Sequence, residues 1–140
     1  MRKQAVPSLG ILWLLAASCG TPMNATYNTT SPQPVPATLR CVIFVTDSLG
    51  YKARLVNGNQ GVEALHNDSV LTQFEDGRFE KISASAKNSK SNDGSSSLVV
   101  TAATVSQHWT RIGLESDEVP ASEKVKKDAQ TVIARCGGGS

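Results

Sequence analysis

Phe79-Glu80-Lys81-Ile82-Ser83-Ala84-Ser85-Ala86-Lys87, followed after ten polar residues by Leu98-Val99-Val100-Thr101-Ala102-Ala103-Thr104-Val105-Ser106-Gln107, carries the clearest backbone pattern in the chain. In its first half Ile82, Ala84 and Ala86 alternate with Lys81, Ser83, Ser85 and Lys87. Such a period of two places one set on a core and the other on solvent, the signature of a half-buried strand. The second half is rich in Val, Ala and Thr. The loop between them centres on Asn92-Asp93-Gly94, a turn signal, so the two halves are expected to pair as a long hairpin. A calcium loop is a poor alternative there, because Ser95, Ser96 and Ser97 stand where further carboxylates would be needed.

Working backwards, residues 51–56 place Tyr51, Ala53 and Leu55 on one face and Lys52 and Arg54 on the other. After the turn Asn57-Gly58-Asn59-Gln60, residues 62–66 alternate again, with Val62, Ala64 and His66 sharing a face, and a second hairpin is expected. Residues 70–76 fit either a continuation of that strand or a crossover. Upstream, Pro36 suits a first helical turn and Gly50 the position just past a helix end. The run Cys41-Val42-Ile43-Phe44-Val45 between them would also suit a buried strand; the stripe Cys41, Val45, Leu49 and the Leu49-Gly50 cap favour a helix over residues 36–49. Downstream, Ser122 is a candidate N-cap, and Val125, Ala129, Val132, Ile133 and Cys136 form one apolar stripe, giving a last helix over residues 122–135. The expected architecture is therefore α+β: a four-stranded, largely antiparallel sheet with two helices on one face, in the order α-β-β-β-β-α.

The N-terminal region has a different character. Arg2 and Lys3 precede an apolar run from Leu9 to Ala17, the layout of a secretory signal, and the run is shorter than the roughly 20 apolar residues that span a bilayer. Ala16-Ala17-Ser18-Cys19 resembles the lipobox of bacterial lipoproteins, although Ala16 stands where that family usually has Leu. The resemblance implies that residues 1–18 are cleaved and that the Cys19 thiol receives a diacylglycerol. Gly20 after it, where Asp would retain a lipoprotein at the inner membrane, implies the outer membrane in a cell that has two. Residues 19–36 are rich in Thr, Asn, Ser and Pro and read as a disordered, lipid-attached linker. Asn24, Asn28 and Asn67 each head an N-glycosylation triplet, which keeps a secreted glycoprotein as a minor alternative.

With Cys19 lipidated, Cys41 and Cys136 remain as an even pair in an oxidising compartment, where disulfides persist. A bridge holds its two Cα atoms about 5.5–6 Å apart, so the first and last helices would lie side by side and antiparallel. Residues 37–136 then form a single α+β domain, and residues 137–140, Gly-Gly-Gly-Ser, a flexible tail. Around Asp47-Ser48-Leu49-Gly50-Tyr51 and Ala134-Arg135-Cys136 the chain also resembles small uncharacterised bacterial envelope lipoproteins, with a helix ending Leu-Gly-Tyr and a terminal helix ending in Cys. That resemblance implies no activity and no catalytic residues.

Charge narrows the partners. The chain has 14 Lys and Arg against 12 Asp and Glu; without Arg2 and Lys3 the basic count also falls to 12. The mature chain is formally neutral and has no clustered basic face of the kind that displaces counterions from nucleic acid, so no nucleic-acid partner is expected. Lys124, Lys126 and Lys127 lie among Glu123 and Asp128 and read as a solvated helix face. Of the two histidines, His66, beside Asn67 and Asp68, reads as structural rather than as a metal ligand. His108 and Trp109, at a strand end, are candidates for lining a ligand groove or for simply capping the sheet. No nucleophile elbow, phosphate loop or zinc-protease motif occurs, so the reading is a non-enzyme with no cofactor. The function expected is a membrane-anchored structural, interaction or assembly-accessory lipoprotein with an envelope protein partner. Binding of a small or lipidic ligand between sheet and helices is the alternative, and an unrecognised hydrolase a remoter one.

Overall fold

A computed structural model of the chain describes residues 23–66 and 77–138. Six strands and two helices follow in the order β1 (Ala25–Ser31), α1 (Val35–Ser48), β2 (Lys52–Val56), β3 (Gly61–His66), β4 (Gly77–Asn88), β5 (Ser96–Thr110), β6 (Gly113–Val119) and α2 (Glu123–Cys136). The strands form one antiparallel sheet in the order β1-β5-β4-β3-β2. Strand β6 pairs with β5 on the edge that β1 also uses: β1 takes residues 96–102 and β6 residues 104–110.

The sheet is thus six-stranded, which corrects the four-stranded expectation. Both extra strands come from segments with too little apolar content to announce themselves. Strand β1 lies within the segment expected to be a linker, and its Ala25, Tyr27 and Thr29 stand opposite Ala102, Val100 and Leu98 of β5. A strand on an existing edge gains ladder hydrogen bonds and needs only a half-buried face, and the β-branched threonines suit it. Strand β6, Gly-Leu-Glu-Ser-Asp-Glu-Val, is exposed along most of its length and is held chiefly by that ladder.

The alternating stretch folds as its pattern demands. Ile82, Ala84 and Ala86 oppose Ala102, Val100 and Leu98, and all six are buried. The β2–β3 hairpin forms as well, through Asn57, Gly58 and Asn59, all with positive φ. The run Cys41–Val45, which would also have suited a buried strand, lies inside helix α1 (Val35–Ser48), with Thr38, Leu39, Val42, Val45 and Thr46 spaced to bury one side of it. Gly50, at φ 94°, turns the chain out of that helix where a Cβ would come within 3.1 Å of the His66 ring. In α2 the Ser122 hydroxyl accepts from the Val125 N–H at 3.2 Å, the expected N-cap.

Both helices bury the same sheet face. Leu39, Val42 and Val45 of α1 and Val125, Ala129 and Val132 of α2 close one core with Val62, Ala64, Ile82, Leu98 and Val100. Two links fix the helix directions. Cys41, midway along α1, is bridged to Cys136 at the end of α2 with Cα atoms 5.7 Å apart; just past α1, the Tyr51 hydroxyl donates to Asp128 in the first half of α2 at 2.8 Å. The helices are therefore antiparallel. Part of the expected tail is also docked, because the Gly138 N–H donates to the Thr30 carbonyl at 2.8 Å.

Where β1 turns into α1 the core is polar but satisfied. Thr38 Oγ1 lies 2.9 Å from Ser31 Oγ and 2.8 Å from Ser96 Oγ, and Ser96 donates onward to the Gln33 carbonyl. All three hydroxyls belong to fully buried residues. Thr38→Val keeps the shape and removes the shared partner, so we expect a loss of about 1–3 kcal/mol, the usual cost of stranding a buried polar group, measured as a lower urea midpoint with an unchanged m-value.

Candidate functional surface

Since neighbours along a strand point to opposite faces, the face turned away from the helices can be read from the register. Strand β5 contributes Ser97, Val99 and Thr101, with Ala103 and Val105 buried further along; β4 contributes Phe79, Lys81, Ser83, Ser85 and Lys87; β3 contributes Glu63 and Leu65. Thr26, Asn28 and Thr30 continue it on β1. Its centre is dominated by hydroxyl side chains, with Thr26 Oγ1 3.4 Å from Thr101 Oγ1. Beside them Arg54 reaches Glu63 at 3.2 Å in an exposed ion pair.

Glu63, Ser83, Ser85, Val99 and Thr101, with Val56 and Asn57 at the rim, line a shallow depression of about 380 Å³ on this face. It offers hydroxyl donors and acceptors and one carboxylate. A polar surface or a small polar ligand would find directional partners there, but no imidazole or thiol lies among the lining residues to act as base or nucleophile. A second depression, of about 320 Å³, lies between α1 and the free edge of β2 and is lined by Pro36, Leu39, Arg40, Leu55 and Asn59. The space between sheet and helices, where a lipidic ligand was the alternative expectation, is packed with Leu39, Val42, Ile82, Leu98, Val125 and Val132, each no more than 1% exposed.

The residues singled out in the sequence are scattered over this frame. His108 stands on the helix side of the sheet, its Nε2 3.3 Å from Glu115 and its Nδ1 3.8 Å from Asp117. Trp109, the next residue, points to the other face opposite Leu114. Consecutive strand residues cannot line one groove, so the structure does not bring this pair together. His66 packs against the Tyr51 ring at 5.0 Å between centroids. Tyr51, Asp128 and Lys124 form a connected cluster, with Lys124 Nζ 2.7 Å from Asp128 and 5.2 Å from the Tyr51 ring centroid. This ties α2 to the end of α1 and is a structural role. Cys19, Asn67, Asp68 and residues 70–76 lie outside the described residues.

Among the described residues no group of three or more His, Cys, Asp or Glu side chains could hold a metal ion, and no helix is long and apolar enough to cross a membrane. In the β4–β5 turn Asp93 accepts from both the amide and the hydroxyl of Ser95, which holds its carboxyl below the usual carboxylate range. These bonds close a turn rather than a cation loop. Sequence reasoning missed two surfaces. The hydroxyl face was present in the alternation, but its extent needed β1. The tip of the β5–β6 hairpin, with Trp109, Ile112 and Leu114 exposed, could have been signalled only by an Ile beside Gly113 in a polar stretch. No protein-family model and no curated protein matches this sequence.

Proposed function

We propose that this chain is a membrane-anchored envelope lipoprotein, lipidated at Cys19, that presents its hydroxyl-rich sheet face to an envelope partner in a structural or assembly-accessory role. The observation that carries the reading is the unequal clothing of the sheet: both helices pack on one face, and the other, although Ala103 and Val105 are buried on it, offers hydrogen-bonding side chains around Ser97, Thr101, Ser83, Ser85 and Glu63. The signal-like residues 1–18 and Cys19 supply the address. Strand β1 begins at Ala25, six residues after Cys19, which span at most about 21 Å. An anchored module would thus stand against the bilayer and not at the end of a long tether. The depression at Glu63 and Ser85 favours, as a second reading, a small polar ligand on that same face.

A photo-crosslinking residue at Ser85 tests the surface, with the same residue at Lys127 on the exposed side of α2 as control. An adduct with one envelope component from position 85, and none from 127, is expected; a face that yields no adduct in intact cells would remove the proposed role. For the anchor, Cys19→Ala should move the protein from the membrane to the soluble fraction and abolish labelling by a lipid precursor. A native chain that carries no lipid label would refute the address.

A further inference from the structure

We infer that the β5–β6 hairpin is a second membrane contact, with its tip inserted into the lipid interface beside the anchor; the inference rests on the lipid-anchor reading. Among the described residues the hairpin runs past the rest of the sheet, because the β4 pairing reaches Gln107 while β5 and β6 continue to the pair Thr110–Gly113. At its end Ile112 is 92% exposed, and Trp109 and Leu114 are each 44% exposed, facing each other across the strands. Arg111 is the only charged residue between Trp109 and Leu114. An amphipathic Trp, two aliphatic side chains and one cation make the chemistry that settles at the boundary between headgroups and acyl chains. The acidic residues Glu115, Asp117 and Glu118 lie further up β6, with Glu115 and Asp117 beside His108.

The position of the N-terminus selects a bilayer as the occupant. Met23 is held beside the far end of the hairpin, its carbonyl accepting from the Ala121 N–H at 2.8 Å, and Asn24 donates to Glu118. Thr104 pairs with Val119 there, and β5 runs six residues further to Thr110, about 20 Å at strand rise. Cys19 is four residues before Met23 and reaches at most about 14 Å. With the hairpin upright on the bilayer, the tip extends about 6 Å beyond the furthest reach of Cys19, within the 5–10 Å depth of an interfacial segment. Anchor and tip therefore meet the same plane.

Trp109 is the only tryptophan after Cys19, so its fluorescence reports the tip. The processed chain, purified from membranes and checked by mass for lipid on Cys19, is reconstituted into phosphatidylcholine vesicles with and without brominated acyl chains. Bromine should quench Trp109, and Ile112→Ser should relieve the quenching while the lipid and membrane retention persist. A control with Trp109→Phe and Ser97→Trp, which moves the probe to the opposite end of β5, should stay unquenched. In the unlipidated Cys19→Ala chain, Ile112→Ser should weaken vesicle binding about tenfold to hundredfold, the factor from burying one Ile side chain. A lipidated chain whose Trp109 is unquenched would overturn the insertion and leave the anchor standing. If the native chain carries no lipid, the anchor reading fails, and the tip is judged by added vesicles alone: quenching upholds it and its absence rejects it.

Discussion

Cys41→Ser and Cys136→Ser will each lower the stability of the domain by about 2–5 kcal/mol, and the double variant will add little to either. The bridge closes a loop with a sequence separation of 95, and cross-linking a loop of that size removes about 4.7 kcal/mol of chain entropy from the unfolded state in the simplest treatment. A domain of about 100 residues has only about 5–15 kcal/mol in total, so the single variants should show much lower unfolding midpoints. The position of the bond adds to this. It joins the middle of α1 to the end of α2, where Gly138 hydrogen-bonds β1, so its loss also loosens the edge on which β1 sits. Additive losses in the double variant, or two freely alkylated thiols in the oxidised native protein, would show that the cysteines act independently.

Leu98→Ala should cost about 2–5 kcal/mol, while Val99→Ala, one residue along, should cost less than about 1 kcal/mol. Leu98 is fully buried beneath the helices, opposite Ala86 on β4 and Thr29 on β1. Its partners across the sheet, Ala86 and Thr29, are short side chains, and small neighbours cannot swing in to fill the space a large residue leaves. Val99 points to the hydroxyl face and is only half-buried. Urea denaturation of the two variants thus measures how one-sided the sheet is. Equal losses would mean that the second face is as deeply packed as the first, and the surface proposed for an envelope partner would not be available.

Much of the fold was legible in the residues. Ile82, Ala84 and Ala86 announced a strand with one buried face, Asn57-Gly58 a tight turn and Ser122 a cap. Each of these is a local rule, in which a single side chain or a period of two decides the backbone. Cys41 and Cys136 constrained the helices from a distance, once Cys19 was set aside for lipid. Local rules could also be misread in a polar stretch. Residues 25–31 look like a tether because they contain almost no aliphatic side chains, and residues 113–119, with only Leu114 and Val119, carry no strand signal.

What made both segments strands is the free edge of β5, fifteen residues long, whose backbone groups need partners whatever the side chains of those partners are. No window of sequence contains that edge, since it exists only after β4 and β5 have paired. The same holds for the candidate surfaces. The alternation of hydroxyl and aliphatic residues and the turns are written in the residues alone, because they depend on neighbours along the chain, and the cysteine pair follows from counting. The fold alone makes the hydroxyl-bearing faces of β1, β5 and β4 one surface, sends His108 and Trp109 to opposite sides, and holds the start of β1 beside the base of the β5–β6 hairpin. Those are relations between segments brought together by hydrogen-bond register, which pairs residues through backbone groups that every amino acid shares.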